Sequence, residues 1–164
     1  MNIIVAVDRT WAIGKDGQLL VHNPGDMKFF RTTTKDKVVV MGRKTLESFP
    51  GQKPLKNRVN VVLTRSPEYE AEGTVICRSV DETLEYLKQF PGEQIFIIGG
   101  EQIYRTFLPY CDTAYITWNE GEYPADTWFP NLDEDQEWEL AERGEPQIDG
   151  ELTYEFRTYR RRSV

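Results

Sequence analysis

Histidine and cysteine are nearly missing from this chain: His22 stands alone, and Cys77 and Cys111 are the two thiols in 164 residues. One histidine excludes a metal centre built on several imidazoles, and it leaves a Ser–His–Asp arrangement no place away from residue 22. The thiols lack CxxC spacing, so they read as buried, reduced residues rather than a disulfide framework. A cationic surplus is lacking too. Lys and Arg number 20 against 27 Asp and Glu, a net charge of −7, which argues against non-specific binding to nucleic acid or an anionic membrane. The short run Arg160, Arg161, Arg162 reads as a solvated strand end. No apolar run approaches the roughly 20 residues of a membrane span. The opening "MNIIVAVDRT" has neither a basic start nor a long apolar stretch, so the expectation is a cytoplasmic protein without a signal. No GxGxxG follows the first apolar run, so the common dinucleotide fingerprint is absent.

What is present alternates. "NIIVAV", "KVVVMG", "RVNVVLT" and "QIFIIGG" are compact runs rich in branched residues, as strands buried on both faces are. Between them "SVDETLEYLKQF" opens with Ser79 and Glu82 in capping-box spacing and sets Val80, Leu84 and Leu87 on one face. "GEQIYRTFLP" predicts a second helix, stopped by Pro109. The last third changes: "TAYITWNE", "EWELAER" and "LTYEFRTYRR" read as longer strands able to pair antiparallel. The expected fold is a single α/β domain over residues 1–164, with a mixed, mostly parallel central sheet flanked by helices and antiparallel C-terminal strands.

One acid stands out. In "LLVHNPGDMKFF", Asn23 can cap a helix, Pro24 suits its first position, and Asp26 falls in the first turn. A cap accounts for an acid there, but not for one sharing a helical face with Phe29 and Phe30. Ligands of open α/β sheets bind beyond the carboxyl ends of parallel strands. There the sequence places Gly42, Arg43, Lys44 and Thr45, then Thr64 and Arg65, then Arg78, then Gly99 and Gly100. Glycines, helix starts and cations at one sheet edge suit a ligand with more than one phosphate, such as a phosphorylated dinucleotide. Each element alone has a plainer reading. Gly-Gly also serves close packing, and a lone arginine is commonly a solvated charge.

The ordered series "IGKDGQL", "PGDMKFF", "VVMGRKTLESF", "RVNVVLTR", "IFIIGGEQIY" and "DTWFP" resembles the dihydrofolate reductase family over nearly the whole chain. The resemblance implies that fold, and NADPH-dependent reduction of 7,8-dihydrofolate to 5,6,7,8-tetrahydrofolate in support of one-carbon metabolism and thymidylate synthesis. It implies dihydrofolate and antifolate-type inhibitors as small-molecule partners, with no nucleic acid, membrane or metal, and a monomer. By the same resemblance Asp26 is the catalytic acid. Ile4, Val5, Met27, Phe30, Phe49 and Leu55 line the folate pocket, Arg58 grips the tail carboxylate, and Thr117 bonds the acid. On the cofactor side, Ala6, Ile13, Gly14 and Leu19 lie beside the nicotinamide. Arg43, Lys44, Thr45, Leu63, Thr64, Arg65 and Arg78 surround the adenosine and its phosphates, with Arg65 first in line for the 2′-phosphate. Ile98, Gly99, Gly100, Glu101, Gln102, Ile103 and Tyr104 form the pyrophosphate turn, whose Gly–Gly bond is cis in the family, and Thr127 steadies the cofactor-side loops. Residues 14–23 correspond to a mobile lid.

The chain departs from the family at Leu20 and Val21, where Pro-Trp is usual. Valine has no donor to hold the water that the indole N–H holds. Asn23 replaces a usual leucine, which implies a stronger helix cap and an exposed pocket rim. Lys56 and Asn57 replace Pro-Gly before Arg58, implying a looser turn. Two alternatives follow: a non-catalytic folate- or nucleotide-binding relative, and a reductase of the same fold acting on another heterocycle. Retention of both Asp26 and Arg58 argues against the latter.

Overall fold

A computed structural model describes residues 1–162; the last two residues of the expected domain lie outside the described residues. The four branched runs form strands where expected: β1 (Asn2–Val7), β4 (Val38–Gly42), β5 (Val59–Leu63) and β7 (Ile95–Gly99), and the short stretch before Arg78 adds β6 (Thr74–Cys77). The three longer C-terminal runs become β8 (Thr113–Asn119), β10 (Trp138–Arg143) and β12 (Leu152–Arg161). With β11 (Gln147–Asp149) paired on β12, they build one sheet in the order β10-β12-β8-β1-β7-β4-β5-β6. The pairs from β8 through β6 are parallel, whereas β12 runs antiparallel to β8, β10 and β11. The expected mixed α/β sheet is what forms.

Period-two alternation divides the core into two layers. Ile3, Val5, Val7, Val38, Val40, Val61, Ile95 and Ile97 face one side, where Leu87, Ile103 and Phe107 cover them. Ile4, Val39, Met41, Val62 and Phe96 face the other, beneath Phe29, Phe30 and Leu46. Because successive β-carbons point to opposite faces, a continuous apolar run serves both layers at once. The covering helices are α1 (Pro24–Thr34) and α2 (Arg43–Glu47) on the second face, and α3 (Val80–Leu87) and α4 (Glu101–Phe107) on the first. In α3 Ser79 Oγ accepts the Glu82 N–H at 3.0 Å, but Glu82 reaches back to the N–H of Arg78 rather than of Ser79. The expected box is therefore shifted by one residue on its return bond. The helix also stops at Leu87, short of Phe90.

A second, small sheet was not legible in the sequence. β2 (Ala12–Lys15) pairs antiparallel with β3 (Gln18–Leu19) and with β9 (Thr127–Trp128). Strands this short show no periodicity, and β9 comes from the distant "DTWFP" segment. The expected lid is thus partly built into a sheet. Asn57 takes φ 58°, the left-handed conformation that asparagine tolerates better than most residues, so the turn before Arg58 is made without glycine.

Candidate active site

Asp26 is held by two elements. On its own helix, Asn23 Oδ1 accepts the Asp26 N–H at 3.1 Å, the cap that the sequence predicts, with Pro24 at the first position. From β8, Thr117 Oγ1 donates to Asp26 Oδ1 at 2.5 Å. Thr117 is buried and sits opposite Ala6 of β1 in the strand register. Burial pushes the Asp26 carboxyl above its ordinary range, and the Thr117 bond pulls it part of the way back. An ionised carboxylate bonded by one hydroxyl in an apolar setting is under-satisfied, so a ligand offering parallel N–H donors or a proton would be bound there.

The surroundings divide by face. Ile4 is buried, and Phe30, Phe49 and Leu55 are half-buried, all in the layer that α1 covers. Met27 is exposed. Val5 points its side chain into the opposite layer with Tyr104 and Phe107, so only its backbone can face a ligand on the Ile4 side. Arg58 stands at the far end of α1. Its Nε donates to Thr34 Oγ1 at 2.9 Å, and its two terminal nitrogens donate to the carbonyls of Lys56 and Arg31 at 2.8 and 3.1 Å. The fork is thus fixed in place by the chain's own oxygens.

The parallel register lines up the strand ends on the other side. Met41 pairs with Gly99, Gly42 with Leu63, and Leu63 with Cys77. The residues that follow are therefore neighbours: Arg43, Lys44 and Thr45; Thr64 and Arg65; Arg78; and Gly100. They do not all stay free. Arg78 donates to the carbonyls of Ser66 and Tyr69 at 2.8 and 3.0 Å, bracing the loop after β5. Arg43 pairs with Glu47 and lies 4.1 Å over the ring of Tyr69. Among the described residues neither Lys44 nor Arg65 forms an ion pair.

The Gly99–Gly100 bond is cis, and Gly99 has φ 117°. A β-carbon on Gly99 would approach the Tyr104 ring to 3.1 Å, whereas one on Gly100 would meet nothing within 4 Å. Gly100 therefore presents bare backbone to open space, as a close-approaching diphosphate requires. Gly42 is needed for packing, since its β-carbon would meet Ile103 Cγ1 at 3.1 Å. Ile98 and Leu63 are half-buried and Gln102 is exposed. Glu101 accepts the Trp128 N–H at 2.7 Å and so tethers β9 to α4. Tyr104 is buried and donates its hydroxyl to the Ile4 carbonyl at 2.9 Å. Gly14 and Thr127 lie together across β2 and β9, where a β-carbon on Gly14 would stand 2.9 Å from Thr127 Oγ1. Ile13 packs beside them on the core, while Leu19 is 76% exposed.

One expectation is corrected here. Asn23 is buried at 3% exposure and does not open the rim, because its Nδ2 donates to Asn119 Oδ1 at 3.1 Å. Nothing local in the sequence marks Asn119, which reads as a strand terminus. Tyr154 likewise carries no local signal in the sequence; its hydroxyl abuts Gly25.

A family model described as dihydrofolate reductase matches residues 1–161. The chain is 35% identical over 165 residues to the dihydrofolate reductase of Bacillus subtilis (strain 168), covering 99% of this chain and 95% of that one. It is 42% identical over 177 residues to the bifunctional dihydrofolate reductase-thymidylate synthase of Daucus carota, covering 96% of this chain but 33% of that protein. The chain thus spans about a third of such bifunctional relatives. The solved structure of dihydrofolate reductase from Enterococcus faecalis complexed with NADP(H) and RAB-propyl is similar at a TM-score of 0.87 and 36% identity, covering 99% of this chain and 96% of that one.

Proposed function

This chain belongs to the dihydrofolate reductase family, and we propose that it reduces 7,8-dihydrofolate to 5,6,7,8-tetrahydrofolate with NADPH, Asp26 being the acid at the reacting ring. The observation that carries this reading is the carboxylate of Asp26, set in an apolar pocket and bonded there by Thr117.

NADPH, when bound, supplies the hydride that the pteridine accepts at C6. The chain's residues provide the rest. Asp26 accepts the two N–H donors on the 2-amino side of the pterin, which orients the ring. Burial favours the protonated form of this carboxyl, which suits it to supply a proton to N5 directly or through water. Ile4, Phe30, Phe49 and Leu55 exclude water from the ring, and Arg58 takes the tail carboxylate bidentately in a fork already fixed by Thr34. On the cofactor side Lys44 and Arg65, which form no ion pair among the described residues, meet the phosphates, and the open backbone of Gly100 admits the pyrophosphate. Arg65 favours a 2′-phosphorylated cofactor. Thr45, Thr64 and the Gly14–Thr127 contact border the same ligand, and residues 14–23 close over it as a lid.

Residues 1–164 act as one domain and as a monomer in the cytoplasm. Antifolate-type inhibitors compete at Asp26, and the product feeds one-carbon metabolism and thymidylate synthesis. Among the described residues no helix is long and apolar enough to cross a membrane.

The test is NADPH oxidation by the purified protein, with and without dihydrofolate, for wild type and Asp26→Asn. Dihydrofolate-dependent turnover that falls by about 100-fold or more in the variant supports the assignment. Binding of both ligands without turnover in wild type would instead establish a non-catalytic relative.

A further inference from the structure

The first turn of α1 is tied to β8 twice. One tie is the Thr117–Asp26 bond. The other runs through two side-chain amides: Asn119 Nδ2 donates to the Val7 carbonyl, Asn119 Oδ1 accepts from Asn23 Nδ2, and Asn23 Oδ1 accepts the Asp26 N–H, each at 3.1 Å. Residues 117 and 119 are two apart on a strand and so share a face. Residues 23 and 26 are three apart across one helical turn. The strand and helix repeats match, and the two ties close a ring through Asp26.

A helix cap does not account for this. Capping uses only Asn23 Oδ1, and an exposed asparagine, serine or aspartate performs it equally well. Here Asn23 and Asn119 are 3% and 2% exposed. Two apolar residues would fill the space without the desolvation cost of two amides. What the amides supply, and apolar residues do not, is direction. One bond would leave the first turn free to swing about Thr117, whereas two separated bonds fix its rotation and thereby the plane of the carboxylate. A third contact closes the remaining side, where Tyr154 Oη lies against Gly25.

We propose that Asn119 is a positioning residue for Asp26, acting through the side-chain amide of Asn23. The inference rests on Asp26 being the acid of the reductase site and deepens that assignment. Other titratable groups facing Asp26 are the hydroxyls of Tyr104 from α4 and Tyr154 from β12; burial and the charge of Asp26 raise Tyr104, and burial with the charges of Asp149 and Asp26 raises Tyr154, so neither ionises in the range at issue.

The experiment compares wild type, Asn119→Leu and Asn23→Ser. Serine keeps a capping oxygen but cannot reach Asn119. Two readouts are taken: the carboxyl titration of Asp26 by NMR of protein carrying 13C-labelled aspartate, assigned by the signal lost in Asp26→Asn, and the pH profile of single-turnover hydride transfer. With the tie cut, the carboxylate reaches water. Its titration midpoint then falls toward the ordinary range by about half a pH unit or more, and the hydride profile moves the same way in both variants. A midpoint and profile unchanged from wild type, with only a lower Tm, would reduce the amide pair to a structural contact and overturn the proposal. If Asn119→Leu does not fold, Asn23→Ser decides alone. Should wild type fail to reduce dihydrofolate, the reductase assignment falls, while the NMR titration still settles whether the pair positions Asp26.

Discussion

The hydroxyl of Tyr154 occupies the place of a missing side chain on Gly25: a β-carbon built there would lie 2.0 Å from Tyr154 Oη and 3.0 Å from Cζ. Tyr154 is 7% exposed, so its ring has little room to retreat. The glycine is therefore part of how β12 seats the helix that carries Asp26.

Gly25→Ala is accordingly expected to destabilise the protein, although it improves helix propensity. The propensity gain is at most about 1 kcal/mol, whereas overpacking costs about 1–3 kcal/mol. Tyr154→Phe should relieve much of the loss, since it removes the colliding oxygen. Urea midpoints of the two single variants and the double variant measure this. An alanine variant as stable as wild type would refute the close-packing account.

Asp26 should be a liability for stability at neutral pH. Its folded-state protonation range lies above the ordinary value, with burial outweighing the Thr117 bond. The native state therefore holds its proton where the unfolded chain has lost it. Stability from this group is complete below the unfolded pKa and is lost as pH rises through the folded one. Asp26→Asn should raise Tm at pH 7 by about 2–4 °C, and the gain should vanish near pH 3. Calorimetry at the two pH values checks it; equal gains at both would contradict the sign.

Arg65, unpaired among the described residues, is expected to decide between cofactors. Arg65→Gln should raise the KM for NADPH by about 10- to 100-fold, corresponding to one lost charge-assisted contact of about 1.5–3 kcal/mol, and leave the KM for NADH nearly unchanged. Steady-state kinetics with both cofactors is the measurement. A parallel loss with NADH would mean that Arg65 supports the fold rather than the 2′-phosphate.

A buried ion cluster on β12 should matter more than any exposed pair. Glu155 and Arg157 are 5% and 8% exposed, with Nε 2.8 Å from Oε2, and Arg143 donates to the same carboxylate. Burial alone would raise the Glu155 carboxyl, but the two arginines outweigh it and hold the group below its ordinary 4.5. Its stabilisation is thus present above the unfolded pKa and lost as pH falls through the folded one. Glu155→Gln leaves the buried Arg157 with only the more distant carboxylate of Asp133, at 3.8 Å, and should cost about 3 kcal/mol at pH 7, converging on wild type in acid. Glu85→Gln, which breaks a pair whose side chains are 73% and 72% exposed, should leave stability close to that of wild type, because water screens such a pair. Denaturation at pH 7 and pH 3 separates these cases.

The sequence alone determined what repeats within a few residues. Branched runs became β1, β4, β5 and β7 because strands buried on both faces need no alternation, and the Asn23–Pro24–Asp26 cap formed because its partners are three residues apart. The ordered motifs likewise pointed to Asp26, Arg58 and the Gly99–Gly100 turn, whose roles are those proposed above. Tertiary structure decided the rest. It turned the Val5 side chain into the layer opposite Ile4, drew Arg78 and Glu101 onto the chain's own backbone, and paired Asn23 with Asn119, 96 residues away. A buried amide or carboxylate must take whatever partner the strand register brings within hydrogen-bond reach, and that register depends on the whole sheet rather than on any segment of the chain.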